Sequence, residues 1–186
     1  MKDIFKKYKL VIKFIVSFAV VYGLMTLSYK FYLDLSDGSK YYPDYVTNLV
    51  AKQSKLLING LGYKAEIAPH EMEPSMKLII NNKFVARVVE GCNSVSVIIL
   101  FLSFVMAFSA SVKSTFLFGL AGSVLIYAIN LFRIAVLSIG LYRYPWRSDL
   151  LHTVVFPLII YGLVFVLWML WVYYYSKQQK SYVKSA

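Results

Sequence analysis

The sequence predicts an all-α polytopic membrane protein with about four transmembrane helices and a small α+β extracytoplasmic insert between the first and second. Three observations carry this expectation. Hydrophobic residues make up 59% of the 186-residue chain, several long stretches run almost without charge, and much of the net charge of +11 lies in short segments flanking those stretches. An ordinary soluble domain is excluded by that composition. In a soluble protein such basicity would point to nucleic acid; here it follows the distribution of Lys and Arg around membrane spans, so no nucleic-acid partner is implied.

A helix needs about 20 apolar residues to cross roughly 30 Å of hydrocarbon. The first expected span runs from about Leu10 to Tyr29, with Lys13 and Lys30 near enough to its ends to snorkel. A signal peptide is the rival reading, but Tyr22, Tyr29, Lys30 and Phe31 make a poor small-residue cleavage site. The second span is expected from about Ser94 to Val112, the third from about Ser114 to Leu141, and the fourth from Thr153 to Tyr175. The fourth ends in Trp168, Trp171, Tyr173, Tyr174 and Tyr175, residues suited to a headgroup belt.

Orientation follows from Lys2, Lys6, Lys7, Lys9 and Lys13 before the first span, Lys113 between the second and third, and Lys177, Lys180 and Lys184 after the last. With four crossings these fall on one side, which the positive-inside tendency makes cytoplasmic. Both termini are then inside, in the cytoplasmic membrane of a bacterium, with the remaining loops facing out. The chain divides into a basic N-terminus and first span (1–33), an insert (34–91), a three-helix membrane core (92–175) and a basic tail (176–186).

The segment from about Asp34 to Glu90 carries seven basic and seven acidic side chains, the balance of a water-facing unit. Within it, Val46, Leu49, Val50, Leu56, Leu57 and Leu61 recur near helical spacing and Gly60 and Gly62 supply a stop, so an amphipathic helix near the membrane surface is expected over Tyr45 to Leu61. Met76 to Ile80 and Phe84 to Val89 read as strands around Asn81-Asn82, which tolerate the positive φ of a tight hairpin. The second strand runs directly into Glu90-Gly91-Cys92.

Three polar residues then stand out. Cys92 is the single cysteine, so no internal disulfide and no multi-thiolate metal site can form. It precedes the second span, where a helix N-terminus favours a thiolate nucleophile; packing as a small hydrophobe is the other reading. Arg133 lies inside an apolar span, eight residues before Leu141 and so roughly 12 Å below the outer end. Charges at such depth are costly and mark sites, although snorkelling to lipid phosphate also fits. Asn130, three positions earlier, shares its face and either serves a site or joins helices. His152 opens the last span, either as a neutral proton acceptor or as an interfacial residue filling a loop corner. His70 lies in the insert with no evident partner. Topology taken from lysines alone puts Cys92, Arg133 and His152 near one leaflet, and a thiolate, a fixed cation and a proton carrier are the parts of cysteine acyl transfer.

Glu90-Gly91-Cys92-Asn93, then Asn130-Leu131-Phe132-Arg133-Ile134, then His152 at the start of the last span, resembles the core of the exosortase and archaeosortase family. The resemblance spans roughly Val89 to Trp171, and the short length with a soluble insert is most similar to the exosortase F subfamily. It implies that Cys92 is the nucleophile, Arg133 the oxyanion stabiliser and His152 the general acid/base, with Glu90, Asn93, Ser94 and Asn130 in support. It also implies a substrate: an exported protein bearing a C-terminal motif, a transmembrane helix and a basic cluster, cut at the outer face of the membrane. The acyl group would pass to an acceptor amine on lipid or glycan, or to water. No metal or organic cofactor is indicated. The chain departs from many family members in having Ser94 and Val95 where a glycine follows the cysteine, and larger relatives carry more spans. The readings from other classes are a non-catalytic membrane scaffold, in which these polar residues only join helices, and a transporter fragment using Arg133 as an anion site.

Overall fold

A computed structural model describes residues 8–36, 41–108, 111–147 and 151–185, with the side chains of 151, 152, 156 and 176–185 outside the description. In chain order the elements are α1 (Lys9–Ser36), α2 (Tyr45–Gly60), strands β1 (Ala65–Pro69), β2 (Ser75–Ile80) and β3 (Lys83–Val89), α3 (Val95–Ala107), α4 (Val112–Arg143) and α5 (Phe156–Ser185). A 3-10 turn, Glu90–Cys92, joins β3 to α3, and a π-helical turn, Leu151–Val155, precedes α5.

Among the described residues, three helical segments are long and apolar enough to cross a membrane: Lys9–Ser36, Val112–Arg143 and Thr153–Tyr175. None of the apolar window of α1 is buried within the protein, so its hydrophobic surface must meet an apolar medium. The expected second span differs. Its helix is Val95–Ala107, 13 residues or about 20 Å, too short for roughly 30 Å of hydrocarbon. It ends at Phe108, whose N–H bonds Phe104 O (3.1 Å), and the apolar run that continues past it in sequence belongs to a different helix, α4.

The expected third span is longer than anticipated, reaching Arg143, and its 32 residues extend about 48 Å. The excess is taken up by the insert. Ile134 and Ala135 of α4 sit in one core with Val50, Ala51 and Ile58 of α2 and with Ala65, Met76, Leu78, Ile80 and Val88 of the sheet. Nearer the other end, Ile126 of α4 joins a second core made by Phe101 and Val105 of α3 and by Ile160, Val164, Leu167 and Trp171 of α5. One helix thus runs through both cores, and Asn130 and Arg133 lie between them. Close approach in the second core depends on Gly122, where an added Cβ would stand 2.3 Å from Phe101 Cζ. Phe14 of α1 and Tyr175 of α5 both pack against Phe108. The start of α1, the end of α3 and the Tyr175 region of α5 therefore lie at one end of the bundle, with the insert at the other.

The insert sheet is antiparallel in the order β1-β2-β3. Asn81 (φ 48°) and Asn82 (φ 64°) form the expected hairpin turn between β2 and β3. β1 was not expected from the sequence. α2 forms where the periodicity placed it, N-capped by buried Asp44, whose carboxylate accepts from Thr47 N (3.0 Å). Its buried stripe is Thr47, Asn48, Val50, Ala51, Ser54 and Ile58, whereas Leu56 and Leu61 are exposed. Two neighbours, the sheet and α4, select that stripe, so hydrophobicity alone misplaces it. Three ion pairs, Lys64–Glu66, Lys77–Glu71 and Arg87–Glu73, decorate the insert surface.

Candidate active site

The junction between insert and bundle is built by a chain reversal. β3 ends at Val89, the Glu90–Cys92 turn follows, and α3 starts at Val95, so strand becomes helix within five residues. Two backbone features close the turn: Asn93 N donates to Glu90 O at 3.1 Å, and Ser94 takes φ 65°, ψ 0°. The left-handed region costs a non-glycine residue about 1–3 kcal/mol, and such strain persists only where surrounding contacts over-determine it. Ser94, 4% exposed, makes no cap bond to α3; its hydroxyl donates instead to Asn93 O at 2.6 Å.

Cys92 sits half-buried two residues before the N-cap of α3, packed at the edge of the insert core. Its carbonyl accepts a hydrogen bond from Asn130 Nδ2 at 2.8 Å. Asn130 is 1% exposed, and its Oδ1 meets no donor among the described residues. One turn further along α4, Arg133 is 8% exposed and within electrostatic reach of both Cys92 and Tyr161. The structure therefore brings together Cys92, Asn130 and Arg133, with Asn93 and Ser94 buried directly behind the thiol-bearing residue and Glu90 half-buried beside it. A guanidinium is a permanent planar donor set, suited to holding negative charge on oxygen or sulfur next to it.

His152 has its backbone in the Leu151–Val155 turn, at the insert end of α5; its side chain lies outside the described residues.

A polar network backs the turn. Asn93 is fully buried, and its Nδ2 donates to Tyr29 Oη (2.8 Å) and Thr47 Oγ1 (3.1 Å), while its Oδ1 accepts from Val95 N (2.9 Å). Tyr29 also faces the Glu90 carboxylate. One turn along α1, Tyr32 Oη donates to Asp44 Oδ1 (3.2 Å) and accepts from Val46 N (3.2 Å). The network joins α1, α2 and the start of α3 at one point.

No family model matches the chain, and no curated protein or solved structure matches it.

Proposed function

We propose that this chain is a membrane-embedded cysteine transpeptidase or protease that cleaves C-terminal sorting signals of exported proteins at the outer face of a bacterial cytoplasmic membrane. The observation that carries the reading is the Asn130 hydrogen bond to the Cys92 carbonyl, which holds the single cysteine against the stretch of α4 that also bears the buried Arg133. Charged residues at such positions are expensive to keep, and the cysteine beside it is the group whose reaction creates negative charge. The motif resemblance around Cys92, Asn130 to Ile134 and His152 points the same way.

In this mechanism His152 takes the Cys92 thiol proton, the sulfur attacks the scissile carbonyl and Arg133 holds the oxyanion. His152 protonates the departing amine as the C–N bond breaks, leaving a thioester on Cys92. His152 then takes the proton of an incoming amine or water, which displaces the thiolate and releases the acyl group onto that acceptor. The substrate is an exported protein with a C-terminal motif, a transmembrane helix and a basic cluster; both termini of the enzyme are cytoplasmic.

The test is a membrane and surface proteome of the native host carrying Cys92→Ala beside wild type. Precursors retaining an apolar helix and basic tail only in the variant support processing, and their cut site gives the motif. An unchanged set of C-termini, with the variant inserted normally, removes the enzyme reading and favours a scaffold.

A further inference from the structure

We infer that Asn93 is a positioning residue for Cys92, and that Tyr29 of α1 and Thr47 of α2 hold it in place, making the first helix and the insert part of the nucleophile's mount. The inference rests on the reading of Cys92 as a nucleophile and names the groups that fix it beside Arg133.

The Asn93 amide spans two tasks that only an asparagine of this reach performs here. Its oxygen bonds the first turn of α3 through Val95 N, and its nitrogen bonds two other elements through Tyr29 and Thr47. Both amide protons and one acceptor site are used, in a side chain with no exposed surface. Thr47 is itself fixed, because its backbone N–H is held by the Asp44 carboxylate, and Asp44 in turn accepts from Tyr32. Tyr29 and Tyr32 stack with centroids 5.8 Å apart, so α1 grips the start of α2 and Asn93 with adjacent rings. From α4, Asn130 holds the Cys92 carbonyl. The residue after the cysteine and the cysteine's own backbone are thus pinned by three helices, across a reversal that includes the left-handed Ser94. A turn so strained keeps its shape only under such constraint.

The chain has one cysteine, so thiol labelling of the full-length protein in lipid vesicles reports on Cys92 alone. The measurement is the ratio of labelling rates with an anionic (sulfonatoethyl) and a cationic (trimethylammonioethyl) methanethiosulfonate reagent. A guanidinium within electrostatic reach of the thiol concentrates the anion, so in wild type the anionic reagent leads by about tenfold. Tyr29→Phe leaves the ring stack intact and removes the hydroxyl; Thr47→Val removes the other acceptor. Both should lower the ratio several-fold toward one, and Thr47→Ser should keep it near wild type. The inference is overturned by a ratio unchanged in Tyr29→Phe and Thr47→Val, by equal falls in Thr47→Ser and Thr47→Val, or by a wild-type ratio near one. Labelling needs no substrate, so these results stand apart from precursor processing, which alone tests the transpeptidase reading.

Discussion

Asn130 uses only half of its amide. Nδ2 donates to the Cys92 carbonyl, while Oδ1 is buried with no donor among the described residues. Asn130→Leu keeps a similar volume and removes both. Losing the donor leaves the part-buried Cys92 carbonyl without it, at about 1–3 kcal/mol, and removing an acceptor with no donor among the described residues relieves a desolvation cost of about the same size. The terms offset, so stability should stay level. Activity should not follow. With the carbonyl released, Cys92 loses its hold on the α4 side, and a displacement of about 1 Å at a reacting group costs roughly 100-fold. The expected outcome is precursor processing reduced by 10- to 100-fold (roughly, by that relation) while the melting midpoint of the purified protein in detergent is unchanged. Processing at the wild-type rate would refute the argument, as would a loss of processing accompanied by a comparable loss of thermal stability.

Arg133→Lys should leave little processing activity, because an ammonium on a different stem does not reproduce a planar fork of donors; near-normal rates would mean that charge alone matters. Gly122→Ala should destabilise the bundle by about 1–3 kcal/mol, since its Cβ would meet the fully buried Phe101 ring at 2.3 Å, and an unaltered melting midpoint would count against the packing described. Ser94→Gly relieves the positive φ and gives up one hydroxyl contact, so it should stabilise by about 1 kcal/mol with processing retained; a marked loss of either would show that the hydroxyl matters more than the strain.

The membrane class was legible from apolar run lengths and the hairpin from Asn81-Asn82. These are local signals: hydrophobic length and turn chemistry each act within a few residues. What stayed hidden depends on which surfaces meet. The sequence 94–112 is continuous in hydropathy, yet its helix stops at Ala107, because the chain must turn there for α3 to lie against the lower half of α4. Arg133 reads as a charge deep in a span, and only the packing of Ile134 and Ala135 into the insert places it at a boundary between two cores. Cys92 and Asn130 were legible as candidates, but the bond between them joins residues 38 apart and has no sequence signature. Tyr29 and Thr47 were invisible as site residues, since an ordinary tyrosine at a span end and an ordinary threonine in a helix acquire meaning only through Asn93.

The short α3 has a mechanical consequence. A helix of about 20 Å set among partners that match roughly 30 Å of hydrocarbon leaves a mismatch of about 10 Å, and a bilayer accommodates such a deficit by thinning locally, at a fraction of a kcal/mol per Å. Acyl-chain length thereby becomes a variable to which this protein responds: shorter lipids relax the deformation around α3 and longer lipids deepen it.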